Sequence, residues 1–237
     1  MKTKNSVIIL ILIAAIAVGA FLFLNSPNRP AALTIQDVKI LDNTKPFKIN
    51  VVYPQIAGMD SFNNTVKNFI DKQVSDFKKN SLANDQAVKE VDPINYAKYP
   101  REYELVISYD KGEVDSGAVS VILNIYGFEG GAHGFHASVA VNYNPKTNSA
   151  IKLSDLFPGQ PDYLQKISDY CIKDLKTQMT KSGAFDMSGD DWLAEGAGPK
   201  EENFLAFLIN KNNITFYFGD YQVAAYAAGD FKVITPR

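Results

Sequence analysis

A glycine-rich stretch between two alternating segments constrains the fold of this chain more than any other feature. It covers residues 126–136, YGFEGGAHGFH, and carries four glycines in eight positions. The flanking segments, Ala118–Tyr126 and Ala137–Tyr143, place apolar side chains at every second residue, the period of a strand with one buried face. Because clustered glycine favours tight turning, we expect a hairpin whose irregular turn is residues 127–134, the glycine loop.

Periodicity predicts the other elements. One helix begins near Asp60, and a second begins at Asp162, which with Gln165 resembles a capping box, and ends near Gly183. The polar segment Asn80–Pro100 shows no period and is expected to be an irregular connection that can include a short strand or one turn of helix. Further predicted strands are Thr34–Leu41, Lys48–Tyr53, Glu102–Tyr109, Phe204–Ile209, Ile214–Phe218 and Phe231–Ile234. The fold class is α+β, an antiparallel β-sheet with two main helices.

An N-terminal transmembrane helix is expected to precede this domain. The apolar run Val7–Leu24 has eighteen residues, which as a helix span about 27 Å. Lys2 and Lys4 before it predict a single-pass cell-membrane protein whose C-terminal domain is extracytoplasmic. The alternative is a secreted protein, cleaved after the weak exit signal Val18–Ala20.

The composition of the chain restricts the classes of partner that it is expected to bind. Without Lys2, Lys4 and Arg29, the net charge of the chain is near −5, which argues against nucleic acid as a partner. Cys171 is the sole cysteine, so no intramolecular disulfide forms. It lies on the apolar stripe of the second helix, and we expect it to be buried and structural.

Four segments are predicted: a signal anchor over residues 1–24, a tether over 25–33, a strand-helix-strand portion over 34–112 and an α+β portion over 113–237. The proline-rich tether separates the apolar run from the alternating segments.

Four motifs carry a resemblance to a known family. They are YPQI at 53–56, GGAHG at 130–134, LSDLF at 153–157 and FYFGDYQVAAYAAG at 216–229. Together they resemble paired domains of unknown function in bacterial envelope proteins, DUF4163 followed by DUF3298. The resemblance runs from about Thr34 to Ile234.

Known members include the extracytoplasmic region of the anti-sigma-V factor, which binds lysozyme, and the N-terminal region of a peptidoglycan deacetylase. The resemblance therefore implies an envelope protein and makes lysozyme the most concrete protein ligand. Few residues precede the apolar run and no deacetylase domain follows Ile234, so we expect neither sigma-factor control nor the deacetylase activity.

His133 and His136 are the only histidines. They offer a pair of metal ligands, completed by Glu129 or Asp155, or a group that transfers protons. A structural zinc site needs four ligands, so we predict no metal and no cofactor. We expect His133 to hydrogen-bond the backbone of the glycine loop and His136 to begin the following strand.

No catalytic residue is predicted. Glu129, Asp155, Asp190 and Asp191 can supply an acid and a base for glycan hydrolysis, but scattered surface acids are the usual explanation. Common hydrolase signatures are absent, and no helix start follows the glycine loop, which argues against phosphate binding.

Aromatic residues near the C-terminus supply binding groups. Phe216 and Phe218 share one strand face and are expected to be buried, whereas Tyr221 and Tyr226 lie in a loop and suit an interface. The candidate binding residues are Gly130, Gly131, His133, Gly134, Tyr221 and Tyr226.

The sequence favours a non-enzymatic, membrane-anchored extracytoplasmic domain that binds lysozyme or a peptidoglycan-related ligand. The alternatives are a cell-wall glycan hydrolase or deacetylase, and a purely structural envelope module.

Overall fold

A computed structural model describes residues 33–99, 101–184 and 189–237. The predicted membrane segment lies outside these residues, as does the tether apart from Leu33. None of the helices within the described ranges has the length and apolar character needed to cross a membrane.

The described residues form a mixed α+β domain. Its strands are β1 Ile35–Asp42, β2 Phe47–Ile56, β3 Tyr103–Val114, β4 Val119–Phe128, β5 Phe135–Asn144, β6 Ser149–Ala150, β7 Phe207–Ile209, β8 Asn213–Phe218 and β9 Phe231–Pro236. Its α-helices are α1 Asp60–Val91, α2 Pro93–Lys98, α3 Tyr163–Ser182 and α4 Asp190–Gly196. Short 3-10 turns cover Leu153–Leu156, Glu201–Phe204 and Tyr226–Ala228.

A six-stranded sheet has the order β1-β2-β3-β4-β5-β6, and β7-β8-β9 form a second sheet. Every pair in these sheets is antiparallel except β2 and β3, which run parallel, with Phe47 opposite Tyr103. The expectation of a purely antiparallel sheet was therefore wrong. Parallel neighbours need a long crossover, and α1 with α2 provides it.

The predicted first helix is confirmed but continues far beyond its apolar stripe. Residues 80–91 are helical, so the expected irregular connection was wrong over most of its length. This segment is rich in strong helix formers, which need no apolar period. The carboxylate of Asp85 also accepts hydrogen bonds from the hydroxyls of Tyr96 and Tyr103, at 2.6 and 2.5 Å, and so fixes the helix to α2 and β3.

Strand β4 is buried on both faces. Val121 and Leu123 pack toward α1, as the alternation predicted. Ile122, on the other face, packs with Leu208 and Tyr217 of the second sheet. The sequence predicted one buried face because it gave no sign that a second sheet covers the other.

Helix α3 packs on the second sheet through its predicted stripe, which includes Ile167, Cys171, Leu175 and Met179. Burial raises the pKa of the Cys171 thiol to about 12, as expected for a structural cysteine. Asp162 is the N-cap of α3 but makes no side-chain cap hydrogen bond. Its carboxylate pairs instead with Lys166 at 3.0 Å, so the predicted capping box was wrong.

Candidate functional site

The glycine loop contains the turn of the β4–β5 hairpin, as predicted, but the turn is shorter than expected, because β4 continues through Phe128 and Gly127 pairs with Phe135. Tyr126 and His136 face each other across the two strands, with ring centroids 5.2 Å apart. A Cβ atom at Gly134 would lie 2.4 Å from the Tyr126 ring, and Gly130 has a φ of +89°. The loop therefore needs glycine at these two positions, for close approach and for a left-handed backbone respectively.

Residues 219–230, the tyrosine loop, connect β8 to β9. Tyr221 has a φ of 61°, which is uncommon for a residue other than glycine. Its carbonyl accepts a hydrogen bond from the indole of Trp192 at 3.0 Å. The Gln222 amide donates to the carbonyls of Gly196 and Asn203, both at 2.9 Å. The first part of this loop is therefore held against the end of α4 and the 3-10 turn Glu201–Phe204.

His133 joins the two loops. Its Nδ1 lies 2.7 Å from the Gly134 carbonyl, so in the neutral ring this nitrogen donates and Nε2 accepts from the Tyr221 hydroxyl at 3.2 Å. The imidazole also stacks on the ring of Tyr226, with centroids 3.9 Å apart. The prediction that His133 hydrogen-bonds the loop backbone is confirmed.

His136 meets two carboxylates that sequence reasoning missed. Its backbone N–H donates to Asp220 Oδ2 at 2.6 Å, and its Nδ1 lies 3.3 Å from Asp220 Oδ1. Ligand atoms of His136, Asp220 and Asp230 all lie within 4.8 Å of one another. The sequence held one signal, since each aspartate follows a glycine, Gly219 or Gly229, at an end of the tyrosine loop.

Two side chains at this surface, those of Asp230 and Tyr226, have raised pKa values. The pKa of Asp230 is raised, first because neighbouring atoms shield the carboxyl from water and also because of the charge and hydrogen bond of Asp220. Shielding from water raises the pKa of Tyr226 as well, with the nearby Asp220 charge adding to the effect. Both groups therefore favour their neutral forms more than they would in free solution.

The other glycines and acidic residues singled out from the sequence make separate contacts. The Gly130 carbonyl accepts a hydrogen bond from Arg101 at 3.2 Å, and a Cβ atom at Gly131 would meet only the His133 carbonyl oxygen, at 3.9 Å. Among the proposed acids, Glu129 lies by Asn80, and Asp155 accepts from the Lys152 backbone at 2.9 Å. Asp190 pairs with Lys176. The group of potential metal ligands found among the described residues thus contains neither Glu129 nor Asp155.

A cleft of about 640 Å³ lies elsewhere, beside the start of α1 and strand β6. Ser61, Asn148, Lys152 and Leu205 are among its lining residues, and none of the predicted binding residues contributes to it. The surface formed by the two loops is therefore an exposed aromatic and acidic patch, distinct from this cleft.

Comparison with known proteins places two families along the chain. Residues 40–136 match the family model described as Deacetylase PdaC, and residues 154–237 match the protein family of unknown function DUF3298. The DUF3298 part of the resemblance is confirmed. The DUF4163 assignment and the link to the anti-sigma-V factor stay predictions.

Solved structures show the same fold. A DUF3298 family member from Bacteroides fragilis has a TM-score of 0.60 at 18% identity, and covers 88% of this chain and 92% of its own. A DUF3298 family protein from Pseudomonas aeruginosa PAO1 has a TM-score of 0.53 at 13% identity, with the same coverage of both chains.

The peptidoglycan-N-acetylmuramic acid deacetylase PdaC of Bacillus subtilis is 30% identical over 200 residues, which are 84% of this chain. The match spans only 39% of the length of that deacetylase. The chain therefore carries a PdaC-type segment followed by a DUF3298 segment, and it is homologous to PdaC over the matched residues.

Proposed function

We propose that this chain is a non-enzymatic envelope protein that binds peptidoglycan-related glycan through the surface formed by the glycine loop and the tyrosine loop. In this proposal residues 7–24 anchor it in the cell membrane and the described domain is extracytoplasmic. The observation that carries the proposal is the joining of the two loops by His133, which places aromatic rings beside acidic side chains.

The aromatic part suits a sugar ring. Tyr221 is 53% exposed, although its hydroxyl contacts His133 and its carbonyl is held by Trp192. An exposed ring that is already fixed loses little conformational freedom when a ligand binds. Tyrosine offers an apolar face and a polar tip, and sugars present apolar C–H faces and polar edges.

The acidic part suits the polar groups of an N-acetylated sugar. Ionised carboxylates are strong hydrogen-bond acceptors, and hydroxyl and amide N–H groups of such sugars are donors. Asp220 and Asp230 lie at the two ends of the tyrosine loop, on either side of Tyr221 and Tyr226 in the sequence. Homology to a peptidoglycan deacetylase supports this ligand class.

The test is co-sedimentation of the full chain with purified peptidoglycan. Replacing Tyr221 by Ala is expected to weaken binding at least about tenfold, corresponding to loss of about 1.4 kcal/mol, whereas Tyr221→Phe retains most of it. Tyr99→Ala is the matched control, because Tyr99 is 70% exposed and lies outside the two loops. Equal sedimentation of wild type and Tyr221→Ala, or none for either, contradicts the proposal.

Two further experiments distinguish the proposed function from its alternatives. Release of acetate from peptidoglycan that stops in Asp220→Asn would favour the deacetylase alternative, which the PdaC homology and the histidine–aspartate group support. A calorimetric titration with lysozyme tests the protein ligand implied by the family resemblance. Binding to lysozyme without binding to peptidoglycan would replace our proposal, and binding to neither would favour a purely structural module.

A further inference from the structure

We propose that His136, Asp220 and Asp230 form a binding site for a divalent transition-metal ion of the Zn²⁺ class. This site does not depend on the proposed glycan ligand. It differs from the metal pair considered from the sequence, because it uses one of the two histidines and none of the acids predicted there.

The first argument is the distance between the ligand atoms. One atom from each of the three side chains lies within 4.8 Å of the other two. Zinc bonds to nitrogen and oxygen of about 2.0–2.2 Å place tetrahedral ligands roughly 3.5 Å apart. The separations therefore need to shorten by no more than roughly 1.3 Å for tetrahedral coordination. His136 and Asp230 are both exposed, so their side chains have room to rotate.

The second argument is the way the ligands are held. His136 is the second residue of β5, and Asp230 directly precedes β9. The Asp220 side chain is only 10% exposed, and its Oδ2 accepts from the backbone of His136 at 2.6 Å. Its Oδ1 faces the imidazole, so the aspartate is fixed with one oxygen toward the site. A ligand fixed in this way, as Asp220 is, loses little freedom when an ion binds.

The third argument is charge. Within the described residues, neither Asp220 nor Asp230 has a lysine or arginine as a salt-bridge partner. The nearby Lys232 pairs with Asp110 at 3.5 Å and lies over the Tyr217 ring at 4.5 Å. The Lys232 charge acts on Asp230 without forming a salt bridge with it. Two neighbouring carboxylates repel each other, and a divalent ion offsets both charges.

The ligand types indicate the metal. Imidazole suits zinc and related transition metals, whereas Mg²⁺ and Ca²⁺ prefer sites made only of oxygen. Three protein ligands leave at least one coordination position open, which is typical of sites where an ion meets water or a ligand. We therefore expect Zn²⁺ to bind more tightly than Mg²⁺ or Ca²⁺.

Calorimetric titration of the full, untagged chain with ZnCl₂ and with MgCl₂ tests the site. We expect one Zn²⁺ per chain, with affinity at least about tenfold above that for Mg²⁺. Asp230→Asn removes a ligand and is expected to weaken Zn²⁺ binding at least about tenfold, since even an outer-shell partner is worth that much. Asp169→Asn, the loss of one exposed carboxylate on α3, is the matched control and should bind like wild type.

A second measurement guards against misfolding of a variant. Asp220→Asn is expected to lose Zn²⁺ affinity as well, and its near-ultraviolet circular dichroism shows whether the hairpin contact survives. Absence of a Zn²⁺ isotherm for wild type, or equal affinity in wild type and Asp230→Asn, overturns the proposal. Peptidoglycan sedimentation repeated with and without Zn²⁺ is scored separately, so the two proposals fail independently.

Discussion

The imidazole of His133 lies nearly face to face with the phenol ring of Tyr226, with centroids 3.9 Å apart and an interplanar angle of 24°. The two residues belong to the glycine loop and the tyrosine loop, so the stack fastens together two segments that are distant in the sequence. This contact is the basis of the first prediction.

Replacing His133 by Ala removes the stack and the hydrogen bond to Tyr221. Aromatic pairs contribute about 0.5–1.5 kcal/mol beyond their buried area, so the free energy of unfolding should fall by about 1 kcal/mol. Urea unfolding measures it. His133→Phe keeps a flat ring and should recover part of the loss. A variant as stable as wild type would show that the stack contributes nothing to the fold.

Gly134 and Gly131 form a matched pair in one loop. A Cβ atom at Gly134 would clash with Tyr126 at 2.4 Å, whereas at Gly131 the nearest atom is the His133 carbonyl oxygen at 3.9 Å. Gly134→Ala should therefore lower stability by about 1–3 kcal/mol, and Gly131→Ala should stay within about 0.5 kcal/mol of wild type. Chemical denaturation compares them, and equal effects would contradict this account of the turn.

Ser120 links the two sheets. Its buried hydroxyl accepts from the Ile209 backbone N–H at 2.7 Å and donates to Asn142, whose amide donates to the Phe207 carbonyl at 2.9 Å. Ser120→Ala leaves the Ile209 N–H unpaired and should cost about 1–3 kcal/mol. Ser138→Ala, on the neighbouring strand, loses only a 3.4 Å contact and serves as the control. Similar urea midpoints for the two variants would refute this role.

Acid should weaken the contact between β1 and α1. The Lys78 ammonium, 2.6 Å from Asp42, holds the pKa of that carboxyl at about 2, below its ordinary 3.8, with a backbone hydrogen bond from Thr44 adding to the effect. The folded state therefore favours the ionised form. Its contribution is complete above pH 3.8 and is lost as pH falls through about 2.

In Lys78→Met the folded-state pKa returns toward its ordinary value. The loss of stability below about pH 4 should then be smaller than in wild type, as measured by urea midpoints across this range. Lys79→Met removes a neighbouring exposed charge and is the control. Parallel curves for wild type and Lys78→Met would rule out this ion pair as the cause.

The Cys171 thiol should be unreactive in the folded protein, because burial raises its pKa to about 12 and leaves it protonated at neutral pH. Ellman's reagent should label wild type only in denaturant. Thr180→Cys introduces an exposed thiol on the same helix and should react without denaturant. Rapid labelling of native wild type would contradict the packing of α3.

The local pattern of apolar residues was sufficient to predict a helix or strand where one face of that element is buried. The period of β4 and β5 predicted their hairpin, and the stripe containing Cys171 predicted the buried face of α3. The pattern failed where burial does not control the element. The exposed half of α1 is helical because of the helix propensity of its residues and the hydrogen bonds that Asp85 accepts. A search for a period of apolar residues detects neither of these causes.

The site was predictable to the same extent. His133 stood out because it lies among glycines, and Tyr226 because it lies in an aromatic loop. The contact of His136 with Asp220, 84 residues later, had no local signal beyond a glycine before each aspartate. The sequence distinguished the residues that carry binding chemistry, but it did not group them correctly.

The sequence by itself determined the α+β class, the glycine turn between β4 and β5, and the residues available for binding. The period of apolar side chains and the content of glycine are properties of a few neighbouring residues, so they can be recognised directly in the sequence. Only the tertiary structure decided the parallel pairing of β2 with β3, the second buried face of β4 and the meeting of His136 with Asp220 and Asp230. Each depends on contacts between segments distant in sequence, whose free energy comes from burial and hydrogen bonding that no local pattern records.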